Sequence, residues 1–99
     1  MTWQHTFKHV DVSPALQEYV EACFEKSARF LLKESSWHVY YSQGKHHDRY
    51  VQVTVQNGTG YFKASAHSDD FYLAVDECAE KLSKQFQKKK EKLKSHKAA

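Results

Sequence analysis

The residues best suited to chemistry are lysines, and they are gathered at one end. Residues 81–97 hold eight lysines and one acid, Glu91, a local charge of +7. Residues 1–80 hold seven Lys and Arg against eleven Asp and Glu, a local charge of −4, so the net +3 conceals a polar distribution. An ammonium is a compact charge with three donors, and a cluster of them suits a polyanion, either nucleic acid or an anionic membrane. The other reactive side chains form no constellation. Among the seven histidines, His46-His47-Asp48 is the densest group. Adjacent side chains diverge, and no Cys-x-x-Cys or His-x-x-x-His spacing supports a metal. Cys23 and Cys78 fall on or beside apolar stripes and read as buried thiols. They are too few for a disulfide framework, and nothing orients a base toward either one. Asp69-Asp70 reads as a helix cap rather than a catalytic carboxylate pair, and there is no glycine-rich phosphate loop. No catalytic residue, metal ligand, cofactor or small-molecule substrate is therefore expected. Tyr40, Tyr61, Lys63 and His67 sit at exposed strand positions, where they could meet RNA bases or simply pair across strands.

These residues must be positioned by a small fold. Ninety-nine residues, 40% hydrophobic and 14% aromatic, suffice for one domain over residues 1–99 with a modest core. No apolar run approaches a membrane span. The start, Met1-Thr2-Trp3-Gln4-His5, has no leader-like pattern, so a cytoplasmic setting is expected. Residues 2–10 alternate as a first strand. Ser13-Pro14 supplies an N-cap and a first helical position. Leu16, Val20, Cys23, Phe24, Ser27 and Leu31 then predict a helix to about Lys33, ended by Glu34-Ser35-Ser36. Trp37, Val39 and Tyr41 predict a second strand, and Val51, Val53 and Val55 a third. Asn57-Gly58-Thr59-Gly60 reads as a hairpin turn, and Phe62, Ala64 and Ala66 predict a fourth strand. After the capping run Ser68-Asp69-Asp70, the stripe Tyr72, Val75, Ala79, Leu82, Phe86 and Leu93 predicts a helix from about Asp70 to Lys94. The fold class is α+β in the order β-α-β-β-β-α. The last three strands form an antiparallel meander, and two helices cover one face of a four-stranded sheet.

At 100° per residue, Lys81, Lys84, Lys88 and Lys92 form a line roughly 150° from the apolar stripe of the last helix. On the first helix Lys26, Arg29 and Lys33 share one flank, beside a stripe of Glu18, Glu21 and Glu25. If the helices lie side by side, two basic ridges flank a common cleft. A plain solvated face is the competing reading. A membrane-surface helix fits less well, because the sheet needs this apolar stripe.

The run Val10-Asp11-Val12-Ser13-Pro14-Ala15-Leu16-Gln17-Glu18-Tyr19-Val20, with Phe24-Glu25-Lys26, resembles the start of the ribosome hibernation promoting factors. So do Lys63-Ala64-Ser65-Ala66-His67-Ser68-Asp69-Asp70-Phe71-Tyr72-Leu73-Ala74-Val75-Asp76 and the lysine-rich ending from Glu80 to Lys94. The resemblance spans essentially the whole chain. The family includes protein Y, short factors, and long forms with an added dimerisation domain, which this chain is expected to lack.

The resemblance implies a fold close to the double-stranded-RNA-binding fold and a non-enzymatic factor; the free chain is expected to be monomeric. Its implied partner is the small ribosomal subunit with its ribosomal RNA, bound in the channel for mRNA and tRNA, where it silences idle ribosomes in starvation or stationary phase. Carried onto this sequence, the family's RNA-contacting positions are Lys26, Lys81, Lys84, Lys88, Lys89 and Lys92. Arg29 and Lys33 extend the first-helix flank. A general double-stranded-RNA-binding module and a protein–protein regulatory adaptor are the alternatives.

Overall fold

A computed structural model describes residues 2–27, 35–58 and 60–98; for 27, 47 and 90–98 it describes the backbone alone. The chain runs β1 (Thr2–Lys8), α1 (Pro14–Ser27), β2 (Ser35–Gln43), β3 (Arg49–Asn57), β4 (Gly60–Ser68) and α2 (Phe71–Ala98). A single 3-10 turn, Lys45–His47, links β2 to β3. The sheet order is β1-β2-β3-β4. As predicted, β2, β3 and β4 are antiparallel neighbours. β1 pairs with β2 in parallel, with Trp3 opposite Trp37 and Phe7 opposite Tyr41. A parallel pair needs a crossover, and α1 supplies it.

Strand alternation sorts the side chains between two faces. Trp37, Val39, Tyr41, Val51, Val53, Val55, Phe62, Ala64 and Ala66 point inward and are buried. Leu16, Val20 and Phe24 from α1 and Ala74, Val75, Cys78, Leu82 and Phe86 from α2 close over them. Both helices therefore cover one face, and each large buried side chain contributes about 1.5–3 kcal/mol. Alanines at 64 and 66 let α2 run close over β4 and β3. Over β1 and β2 the spacer is aromatic: Trp3 stacks on Trp37 at 4.8 Å, and Phe24 packs on Trp37 at 5.4 Å.

Several details differ from the sequence reading. Ser35 and Ser36 belong to β2 rather than to a breaker, and the buried Ser35 hydroxyl accepts the Trp37 indole N–H at 2.9 Å. Tyr72 leaves the apolar stripe. It lies 40% exposed and meets Tyr19 of α1 edge-on, while Ala74 and Cys78 take the buried positions. Cys23 is only half-buried. The predicted helical stretch from 28 to Lys33, including Leu31, lies outside the described residues, as does the side chain of Leu93.

Both helix starts are capped as the sequence implies. The Ser13 hydroxyl accepts the Leu16 amide at 3.2 Å. The Asp70 carboxylate accepts the Tyr72 amide at 2.8 Å, placing negative charge at the positive end of the α2 dipole. The β3–β4 hairpin closes with the Asn57 side-chain oxygen accepting the Gly60 amide at 3.1 Å. Gly60 has φ +154°, which glycine adopts without strain.

Candidate nucleic-acid interface

α2 is the element that positions the charge. Its 28 residues span about 42 Å at 1.5 Å per residue. It runs antiparallel to β4, the edge strand, and two side chains four residues apart cap that edge. Lys81 donates to the Ser65 carbonyl at 2.7 Å, and Gln85 Nε2 donates to the Lys63 carbonyl at 2.8 Å. Lys89, four residues further on, brings its ammonium beside Gly60, where the strand begins. These three follow the i, i+4 ridge of the helix along the β4 edge, where Lys81 and Gln85 take up backbone carbonyls.

The line expected from the sequence holds for the helix positions, but the Lys81 ammonium turns from it to the sheet edge while its side chain stays exposed. Lys84 and Lys88 share the outer side with Ser83 and Gln87. Lys84 has one weak partner, Glu80 at 3.5 Å, with both side chains more than two-thirds exposed. Lys92 falls where α2 is described by backbone only.

Lys26 is exposed on the last turn of α1. Phe24 and Phe86 both pack on Trp37, so this end of α1 lies beside the lysine-rich half of α2. Arg29 and Lys33 lie outside the described residues. The seam between the helices is filled nearer their N-terminal halves. There the Tyr19 hydroxyl donates to Asp76 Oδ1 at 2.5 Å, and Tyr19 packs on Tyr72. The Asp76 carboxylate holds the Tyr19 hydroxyl above its ordinary range, and burial adds to this. At this position an acid and two tyrosines occupy what the sequence suggested as a basic cleft. The exposed acids Asp69 and Asp70 precede α2 and Asp76, Glu77 and Glu80 lie in its first three turns, whereas its lysines begin at Lys81 and run toward its C-terminal end. Each sign sits at the end of the helix where the dipole favours it.

The remaining polar groups serve the fold. Glu21 Oε2 can only accept, so His5 Nε2, 2.9 Å away, donates to it. His5 Nδ1 then accepts from the Tyr41 hydroxyl at 2.8 Å. Burial, with the Glu21 charge behind it, raises Tyr41 above its ordinary range. The Cys78 thiol donates to the Val51 carbonyl at 3.5 Å, and burial pushes it up to about 12. A thiol so held is a poor nucleophile at neutral pH. Neither cysteine is in a disulfide, and among the described residues no group of three or more His, Cys, Asp or Glu could hold a metal ion. No described helix is long and apolar enough to cross a membrane.

Comparison with known proteins agrees with this architecture. A family model described as "Sigma 54 modulation protein / S30EA ribosomal protein" matches residues 3–94. Ribosome-associated factor Y of Haemophilus influenzae is 32% identical over 98 residues, covering 99% of this chain and 91% of the relative. Ribosome hibernation promoting factor of Escherichia coli K12 is 33% identical over 91 residues, covering 92% and 95% respectively. A solved ribosomal subunit interface protein from Coxiella burnetii superposes with TM-score 0.77 at 30% identity, over 91% of this chain and 98% of that one. The N-terminal domain of Thermus thermophilus Protein Y reaches TM-score 0.77 at 20% identity over 86% and 94%, a likeness of fold. With the family model spanning nearly the whole chain and its relatives matching end to end, this protein belongs to the sigma 54 modulation/S30EA ribosomal protein family.

Proposed function

We propose that this chain is a ribosome hibernation factor. It binds the small ribosomal subunit in the channel for mRNA and tRNA, through contacts to ribosomal RNA, and keeps idle cytoplasmic ribosomes out of translation. The observation that carries the reading is the outer ridge of α2. Lys84 and Lys88 project from a helix held rigidly by Val75, Leu82 and Phe86 in the core, with Lys81 and Lys89 on the adjoining flank. Lys26 of α1 stands at the same end. Such an array reads phosphate positions and shape rather than base sequence. It performs no bond chemistry, so occupancy alone is the mechanism. Membership of a family whose relatives are named for ribosome association and hibernation supports the choice of target.

Co-sedimentation of the pure protein with isolated small and large subunits, at low and moderate salt, tests this reading. Salt-sensitive recovery with small subunits is expected. Equal or tighter binding to a bare RNA duplex would favour a general duplex-binding module instead. Binding that survives ribonuclease treatment would favour a protein–protein adaptor.

A further inference from the structure

The face of the sheet away from the helices has a composition of its own. None of the four strands contains Asp or Glu, although the chain has twelve acidic residues. By the strand register, the outward positions include Lys8, Tyr40, Tyr50, Tyr61, Lys63 and His67. Among the described residues, the one carboxylate paired with an outward strand side chain is Asp48, held by His67 at 2.7 Å. Tyr61 is 61% exposed, so most of its ring is open to a partner. His38, Tyr40, Gln52, Thr54 and Tyr61 line an open depression of about 380 Å³ on this face. Tyr50 bridges Tyr40 and His67, at 6.4 and 4.8 Å between ring centroids, making a continuous aromatic row beside it.

A face without carboxylates, carrying lysines and available tyrosine rings, complements a polyanion that has flat apolar faces of its own. An RNA duplex hides its bases in the stack, and an acidic protein surface would answer the lysines but not the open tyrosine rings. An unpaired RNA strand meets both conditions, because every base has a π-face and every nucleotide a phosphate. The edge of β4 joins this face to α2. Lys63 projects outward from the strand whose carbonyls Lys81 and Gln85 cap, so basic side chains continue round the edge from the helix to the sheet.

We propose that the helix-free face of the sheet binds single-stranded RNA, with bases stacked on Tyr61 and in the Tyr40 depression and phosphates met by Lys63. The site is distinct from the α2 ridge. It deepens the ribosome reading by adding an unpaired RNA segment to the phosphate contacts, and it rests on that reading only for the choice of RNA.

The test is fluorescence anisotropy with an unstructured, end-labelled adenine–cytosine repeat of about 12 nucleotides, within the span such surfaces cover. With the ridge neutralised by Lys84→Gln and Lys88→Gln, the protein should still bind this strand, and more tightly than a duplex of equal length. Tyr61→Ala should weaken strand binding about tenfold, the loss of one stacked base, and Tyr61→Phe should retain it. Tyr61 is exposed, so the fold should survive; thermal melting of each variant checks this. Lys84→Gln with Lys88→Gln, assayed for small-subunit binding in parallel, separates the two surfaces. Strand binding unaffected by Tyr61→Ala would overturn the sheet-face proposal even if subunits still bind. Loss of subunit binding by the intact protein, with strand binding retained, would overturn the ribosome reading and leave the sheet face standing.

Discussion

Replacing Lys84 and Lys88 by glutamine removes two charges from the outer ridge while retaining length and polarity. The structural cost is small. The one ion pair broken is Lys84–Glu80, 3.5 Å long with side chains 74% and 70% exposed. Such i, i+4 pairs contribute about 0.3–0.5 kcal/mol at most, and relief of lysine–lysine repulsion offsets part of that. Unfolding free energy should therefore change by less than about 0.5 kcal/mol. Binding should change far more. Each neutralised phosphate contributes about 0.7 (single strand) to 0.9 (duplex) to the slope of log affinity against log salt. Losing two contacts should flatten the slope by about 1.4–1.8. A salt series from about 50 to 200 mM, with small subunits as ligand, resolves that difference. Lys81→Gln is the internal comparison. Its ammonium already donates to the Ser65 carbonyl, so its removal should flatten the slope less than removal of either outer lysine. An unchanged slope in the double variant, with the fold intact, would refute the ridge as the phosphate-binding element.

Two further outcomes test the fold that carries the ridge. Asp70→Ala removes the cap on the Tyr72 amide and should cost about 1 kcal/mol, a fall of about 4–8 °C in the thermal midpoint of a domain this size. Unchanged melting would show that water replaces the carboxylate without loss. Cys78 is raised to about 12 by burial, so the folded state holds its proton more tightly than the unfolded state. The stability this gives is complete below the ordinary thiol range and is lost as pH rises toward 12. In native protein at about pH 8, Cys78 should resist alkylation that proceeds freely in denaturant; peptide mapping that finds it modified in native protein would contradict its burial.

The order of elements was legible because each carries its own period. Val51, Val53 and Val55 alternate without interruption, and the Ser13 and Asp70 caps mark both helix starts. The parallel placement of β1 was not legible, since alternation in Trp3, His5 and Phe7 fixes a buried face but no neighbour. Tyr72 was misplaced for a related reason. Helical spacing put it on the stripe, but the first turn of α2 lies against Tyr19 of α1, where the phenol can stay partly wet. The lysine cluster was plain from composition alone, and its division into two rows was not. The Lys81 ammonium departs from the ideal wheel because edge strand β4 offers it a backbone carbonyl, a partner no helical projection contains. The character of the open sheet face could have been found by noticing that the predicted strands lack any acid. Strand-by-strand charge counting gives that signal, and whole-chain counting hides it.

Under the proposed function, this protein and the translating machinery's own ligands compete for one place. The direct measurement is displacement of labelled protein from small subunits by mRNA together with initiator tRNA, at fixed low salt so that electrostatics stay constant. Progressive release is expected as the ligands are added, as is exclusion of tRNA when the protein is added first. Simultaneous retention of protein, mRNA and tRNA on the same subunits would contradict this competition.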